Sequence, residues 1–207
     1  MLSSKDAAKI TSAHYGYDQF SKDPKLFESK MTENLPEGFY VNYGLSNRGI
    51  MVAEKGNQRV ISVKGTDPSS PKDLLSDFQL ALGLHKSNIQ FRQRKNEIKN
   101  IMRRNPEKEY HLVGHSLGSS ILANALASSP SILRNTTKAY LFNQGSTPAF
   151  EAMLKPRPEN VSMVEKKTIH YKHADDILSH TAGKYGDVII SRKKKKGMNP
   201  HSILNWI

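Results

Sequence analysis

The sequence predicts an α/β fold, a mostly parallel central sheet with helices on both faces. Three observations predict it. In the second half of the chain, short apolar runs alternate with segments of helical period, the pattern of strand–helix–strand units whose strands lie parallel. Those runs are rich in Val, Ile, Leu and Tyr and roughly four to eight residues long, as strands buried on both faces are. A length of 207 residues suits one domain with a two- or three-layer core better than two domains. A single domain over residues 1–207 is therefore expected, with an N-terminal helical extension over residues 1–37.

The elements follow in order. Residues 5–15 read as a short helix with Ala7, Ala8 and Ile10 on one side, and a polar connection leads to Pro36. "GFYVNYGL", "GIMVAEK" and "RVISVKGT" read as neighbouring strands separated by Ser-Asn-Arg-Gly and Gly-Asn-Gln turn signals, the second pair a hairpin. From Ser87 to Arg104, Phe91, Ile98, Ile101 and Met102 fall at helical spacing, and Asn105-Pro106 supplies a stop. That helix and its lead-in carry Lys86, Arg92, Arg94, Lys95, Lys99, Arg103 and Arg104 against the single acid Glu97. Strand "YHLVG", helix "SSILANALASS", strands "KAYLFNQG", "KTIHYKHA" and "DVIIS", and the tail "RKKKKGMNPHSILNWI" complete the chain.

Composition narrows the functions. Lys and Arg number 31 against 19 Asp and Glu, a net charge of +12, so the long-range field favours phosphate-bearing partners: nucleic acid, anionic lipid, or a virion or organelle interior rich in either. Cysteine is absent, which excludes a disulfide framework, a thiolate metal site and a cysteine nucleophile. The N-terminus has no apolar run of signal-peptide length, and no stretch of about 18 apolar residues occurs. The expectation is an intracellular or virion-associated chain rather than a conventionally secreted one. His170 and His173 fall on opposite faces of a strand, so no convergent metal set is expected.

Chemistry is concentrated in "EYHLVGHSLGSSILANALA", Glu109 to Ala127. Ser116 stands between Gly114 and Gly118 where an apolar strand turns into a helix. Glycine on both sides fits a turn too tight for bulky side chains, and the amide ends of the following helix suit an oxyanion forming on an acyl carbon. The Leu117 N–H is the natural first donor.

Together with "VISVKGTDPSSPKDLLSDFQLALG" upstream, this segment resembles the class 3 lipases, the fungal-type branch of the α/β-hydrolases that includes phospholipase A1-like enzymes. The resemblance covers Val60 to Trp206 and is strongest at Lys64-Gly65-Thr66 and Gly114 to Gly118. It implies a compact α/β-hydrolase with a minimal lid, since "LALGLHKSNIQ" leaves room for very little, and an open or loop-covered site. Leu80, Leu82 and Leu84 read as core residues, with a lipid-facing patch as the alternative. The resemblance also implies that Thr66 supplies the second oxyanion donor, and that Asp73 and Asp77 take the places of two family acids. Lys64 replaces the usual Arg, Leu74 a usual Trp and Ser119 a usual Gly.

A serine nucleophile needs a base, and the base an orienting acid, in α/β-hydrolases in the chain order Ser, acid, His, each on a loop after a strand. "TIHYKHA" runs into "DDILSH", where Asp176 fits the acid and Asp175 remains the rival one residue away. His201, in "NPHSILNWI", resembles the family's late histidine and is the chosen base. His180 is the alternative, on the same loop as the acid. His115 beside the serine has a structural reading, and His14, His85, His111, His170 and His173 read as surface or satisfied histidines.

The implied function is a serine carboxylic-ester hydrolase acting on lipids, with no cofactor. A small-molecule esterase or thioesterase and a catalytically lapsed nucleic-acid- or membrane-associated module are the alternatives. Arg192, Lys193, Lys194, Lys195 and Lys196 form an uninterrupted cationic run, which reads as a solvated loop, as a contact to anionic lipid, or as a nuclear or nucleic-acid targeting segment.

Overall fold

Residues 2–20, 33–65, 85–193 and 195–207 are described by a computed structural model of the chain. The expectations placed on Thr66, Asp73, Leu74, Asp77, Leu80, Leu82, Leu84 and Lys194 lie outside the described residues.

The elements are helix α1 (Ser4–Phe20), strands β1 (Tyr40–Val41), β2 (Ile50–Lys55) and β3 (Gln58–Val63), helix α2 (His85–Arg104), strand β4 (Glu109–His115), helices α3 (Leu117–Ser128) and α4 (Pro130–Asn135), strand β5 (Thr136–Phe142), helices α5 (Pro148–Met153) and α6 (Val161–Lys167), and strands β6 (Thr168–His173) and β7 (Asp187–Ser191). The two short helices α4 and α5 start where side chains cap them. Ser129 and Thr147 each accept a hydrogen bond from the amide three residues on, with Pro130 and Pro148 at the first helical turn.

One seven-stranded sheet runs in chain order β1 to β7. The pairs β1–β2 and β2–β3 are antiparallel, the latter the expected hairpin, and every pair from β3 to β7 is parallel. Crossovers between parallel strands are right-handed, so a sheet that always advances in one direction puts its crossover helices on one face. Alternate strand residues record this. Ile50, Val52, Ile61, Leu112, Ala139 and Leu141 pack with residues of α2 to α6, including Ile98, Leu122, Ile132, Phe150 and Val164.

The opposite face, carrying Met51, Ala53, Val60, Val113, Tyr140, Phe142 and Tyr171, is covered by Ala7, Ala8, Ile10 and Ala13 of α1 and by Ile203 and Trp206 near the C-terminus. The two ends of the chain thus share one layer beneath the sheet. That layer seats the C-terminal segment against the ends of β4 and β5.

The expected strand "GFYVNYGL" is reduced to Tyr40–Val41. Among the described residues it is an outer strand paired with β2 alone, and the chain then turns through hydrogen bonds from Leu45 N–H to Asn42 and from Ser46 N–H to Tyr43. At the other edge, all of β7 but Ser191 is exposed despite its apolar sequence, including Val188, Ile189 and Ile190.

Candidate active site

In open α/β sheets, sites form beyond the carboxyl ends of the parallel strands. Here β3, β4, β5 and β6 deliver Gly65, Ser116, Asn143 and Asp176 to that end.

Ser116 occupies the turn between β4 and α3 with φ 57° and ψ −126°. A non-glycine residue in such a conformation costs about 1–3 kcal/mol and persists only where its surroundings hold it. They do so from several sides. Ser116 N–H donates to the Phe142 carbonyl (3.1 Å), and the Ser116 carbonyl accepts from Gly145 N–H and Ser120 N–H (both 3.3 Å). Ser119 Oγ donates to the Phe142 carbonyl (3.1 Å), and Ser120 Oγ to the Gly145 carbonyl.

The flanking glycines are explained by contact. A Cβ on Gly118 would run into the Val63 carbonyl, and one on Gly114 would lie 2.9 Å from the backbone of Gly118 and of Ser119. A Cβ on Gly65 would sit 2.7 Å from the His115 carbonyl and 3.2 Å from Leu117 N. The end of β3 therefore lies directly against the first amide of α3, a group with no intrahelical acceptor by its position.

His201 and Asp176 meet across the site. His201 Nδ1 is 2.8 Å from Asp176 Oδ2, with both side chains buried. Burial alone would raise the Asp176 carboxyl. The hydrogen bond and charge of His201, together with bonds from Ser179 and the Leu178 amide, outweigh it and hold the group below the ordinary carboxylate range. An ionised carboxylate only accepts, so Nδ1 of His201 carries a hydrogen, and in a neutral ring this leaves Nε2 as the lone-pair nitrogen. Asp175 is largely exposed and faces His173 instead, 3.8 Å from its Nδ1. His180 is exposed on the Asp176 loop.

Ser116 Oγ and His201 Nε2 are both buried, and neither has a hydrogen-bond partner among the described residues. Gln144 Oε1, Thr168 Oγ1, His170 Nδ1, His173 Nε2 and Trp206 Nε1 share that condition among the described residues.

His115 is fully enclosed. Its Nε2 lies 2.5 Å from the His201 carbonyl and its Nδ1 2.8 Å from the Tyr15 hydroxyl. Burial first, then the nearby His201 ring, push its pKa down to about 3, against the His201 carbonyl and the Asp176 charge. Of the other histidines, His14, His111, His170 and His173 are buried, and among the described residues no cluster of potential metal ligands occurs.

Two residues at this end escaped the sequence reading. Asn143 closes β5 at φ 41°, fully buried; its signal was only that it follows an apolar strand, as Asp176 does. Tyr15 approaches from α1, and nothing local connects it with His115, 100 residues away.

Arg192, Lys193, Lys195 and Lys196 are exposed at the carboxyl end of β7, on the same side of the sheet as Ser116. Ile177, next to Asp176, is 83% exposed, and Leu204, three residues after His201, is partly exposed. No described helix is long and apolar enough to cross a membrane.

This architecture is that of the α/β-hydrolases. The fold is similar to that of a solved fungal protein. A mutant form of MDLA from Penicillium cyclopium superposes with a TM-score of 0.52 over 98% of this chain and 83% of its own, at 16% identity. A fungal lipase gives 0.49 over 97% of this chain and 82% of its own at 16% identity, and a lipase from Rhizopus microsporus var. chinensis 0.45 over 91% and 74% at 13%. No family model and no curated protein matches the sequence.

Proposed function

We propose that this chain is a serine carboxylic-ester hydrolase that acts on lipids, a lipase or phospholipase A1-like enzyme. The observation that carries the reading is the convergence of the strained Ser116 turn with the buried Asp176–His201 pair at one end of the sheet.

His201 Nε2 takes the Ser116 proton as Oγ adds to the ester carbonyl, and Asp176 holds the imidazole in the tautomer this requires. The amides of Leu117 and Thr66 donate to the oxyanion. The tetrahedral adduct collapses with His201 returning its proton to the departing alkoxide, which leaves as the alcohol. Water, deprotonated by His201, then adds to the acyl-serine, and a second collapse releases the acid and restores Ser116. No cofactor enters either half.

Lipid is favoured over a soluble ester by what surrounds the site. The exposed cations of the 192–196 run and the exposed Ile177 lie on the active-site side, the combination that anionic bilayer surfaces attract at about 1 kcal/mol for each basic residue. Phospholipid is therefore the favoured substrate.

The test is fluorophosphonate labelling together with hydrolysis of phospholipid vesicles and p-nitrophenyl esters of graded chain length, in wild type and Ser116→Ala. Labelling and hydrolysis abolished in the alanine variant support the reading. Wild-type-like hydrolysis by purified Ser116→Ala sinks it, and activity confined to short soluble esters replaces the lipase with an esterase.

A further inference from the structure

Between the catalytic pair and the rest of the molecule lies a set of contacts that the reaction itself does not use. The Pro200 carbonyl accepts from Asn143 Nδ2 at 3.2 Å and from Asn205 Nδ2 at 3.3 Å. The next carbonyl, that of His201, lies 2.5 Å from His115 Nε2. Asn143 and His115 belong to the ends of adjacent parallel strands, where Phe142 pairs with His115. Two neighbouring strand ends therefore grip two consecutive carbonyls of one loop.

We propose that His115 and Asn143 are positioning residues that fix the backbone carrying His201, and with it the direction of the His201 imidazole. The proposal rests on the reading of His201 as the base.

The chemistry of each contact fits that task. A carbonyl can only accept, so His115 Nε2 must carry hydrogen. A ring whose pKa is near 3 is neutral, so its Nδ1 is a lone pair and takes the Tyr15 O–H. Tyr15 thereby selects the tautomer that lets His115 hold His201, as a carboxylate does for a catalytic or metal-bound histidine. Lys64 stands over the Tyr15 ring, 5.5 Å from its centre, so α1 is joined to the oxyanion strand at the same place.

Asn143 serves both sides of the pair. Its Oδ1 accepts from His173 N–H (3.2 Å), at the end of β6 ahead of Asp176, while its Nδ2 holds Pro200. One carboxamide thus spaces the acid loop and the base loop. Its left-handed backbone at φ 41° is the kind of local strain that a structure retains where a side chain must point one way.

The test uses four variants of the full chain. His115→Leu keeps bulk and removes the donor, and His115→Gln restores a neutral donor at a similar reach. Asn143→Asp keeps the acceptor for His173 and removes the donor to Pro200, and Asn143→Gly tolerates the backbone angle and removes both. Steady-state kinetics on a short soluble ester are read beside thermal melting. The ¹⁵N spectrum of the histidine rings, with His201 assigned by its loss in His201→Gln, is recorded on the same samples.

His115→Leu, Asn143→Asp and Asn143→Gly are expected to lose kcat by on the order of 10- to 100-fold, because misplacing a catalytic group by about 1 Å costs that much. KM should change less than two-fold, the His201 ring should go from a fixed Nδ1–H form to an averaged one, and His115→Gln should recover most of the rate. Wild-type kcat and ring spectra in the folded leucine and aspartate variants overturn the proposal. Loss of rate with an unchanged His201 spectrum and no recovery in His115→Gln overturns it too. If the wild type hydrolyses no ester, the functional reading fails, and the spectrum alone decides the clamp: an Nδ1–H form that stays fixed in all the variants refutes it.

Discussion

The buried His115 makes a quantitative demand on acid stability. In the folded chain it ionises near pH 3, because burial strips its hydration and the neighbouring His201 ring adds to the effect. In the unfolded chain a histidine takes its proton at about 6.5. Between those values the unfolded state binds one proton more than the native state, so stability rises with pH and is lost as pH falls below about 6.5. The slope is about 1.4 kcal/mol per pH unit, and at pH 4.5, two units down, the loss from His115 alone is roughly 2–3 kcal/mol. That is a large part of the 5–15 kcal/mol that typically holds a domain together.

Urea unfolding at pH 7 and pH 4.5, on wild type and His115→Gln, isolates the effect. Glutamine does not titrate, so the variant should lose roughly 2–3 kcal/mol less on acidification than wild type. His170, pushed down to about 4 chiefly by burial, titrates alike in both proteins and cancels in the comparison. Asp176 is also separated by the choice of pH. Its carboxyl is held below the ordinary carboxylate range, so its contribution, present above that range, is lost only as pH falls through its lower folded value. Equal acid losses in the two proteins would refute the placement of a neutral, enclosed imidazole beside the His201 loop.

Ser116→Gly should raise the urea midpoint, since glycine takes φ 57° without the cost of about 1–3 kcal/mol that serine bears there, while hydrolysis disappears; a lower midpoint would show that the Ser116 hydroxyl stabilises the fold. Asp176→Asn should lower turnover on a soluble ester far more than Asp175→Asn, because an amide stabilises the wrong imidazole tautomer; the reverse ranking would move the acid one residue upstream. Replacing Arg192, Lys193, Lys194, Lys195 and Lys196 by glutamine should weaken sedimentation with anionic vesicles and slow their hydrolysis while leaving a short ester untouched. Salt should imitate the change, given screening within about 10 Å at 0.1 M. Equal loss on both substrates would make the run a support for the His201 loop.

What could be read in advance follows from the range of each interaction. The Ser116 turn was legible because its requirements are local: Gly114 and Gly118 lie within two residues of the serine they accommodate, and the strand and helix around them announce themselves by period. The parallel sheet was legible because alternating strands and helices leave few other topologies. The strand "DVIIS" was legible as a strand but not as an exposed edge, since an apolar run has the same appearance in either place until its neighbours are known. The shared layer of α1 and the C-terminus was not legible. Ala7, Ala8 and Ile10 say that a helix has an apolar side, but not which face of which sheet needs it. Asn143 and Tyr15 carry no periodic or motif signal at all, because their meaning lies in partners 57 and 100 residues away.

The topology gives those distant partners a common cause. A sheet that advances strand by strand in one direction leaves its second face bare, and the apolar Met51, Val113, Tyr140, Phe142 and Tyr171 on that face must be covered by whatever chain remains. Among the described residues, that cover includes α1 and the segment with Ile203 and Trp206. Covering the face brings Trp206 within 6.0 Å of Phe142 and 5.4 Å of Tyr171, ring centre to ring centre, and this packing draws His201, five residues earlier, to the ends of β4 and β5. The same requirement brings α1 across the sheet until Tyr15 reaches His115. Tyr15 and the loop of the candidate base are thus brought to the strand ends by segments that close the hydrophobic core, and shaving core contacts at Trp206 should reach the site before it reaches the sheet. A Trp206→Ala variant read for both kcat and melting temperature checks this: kcat should fall at temperatures well below the onset of melting, and an unchanged kcat in the folded variant would separate core closure from the site.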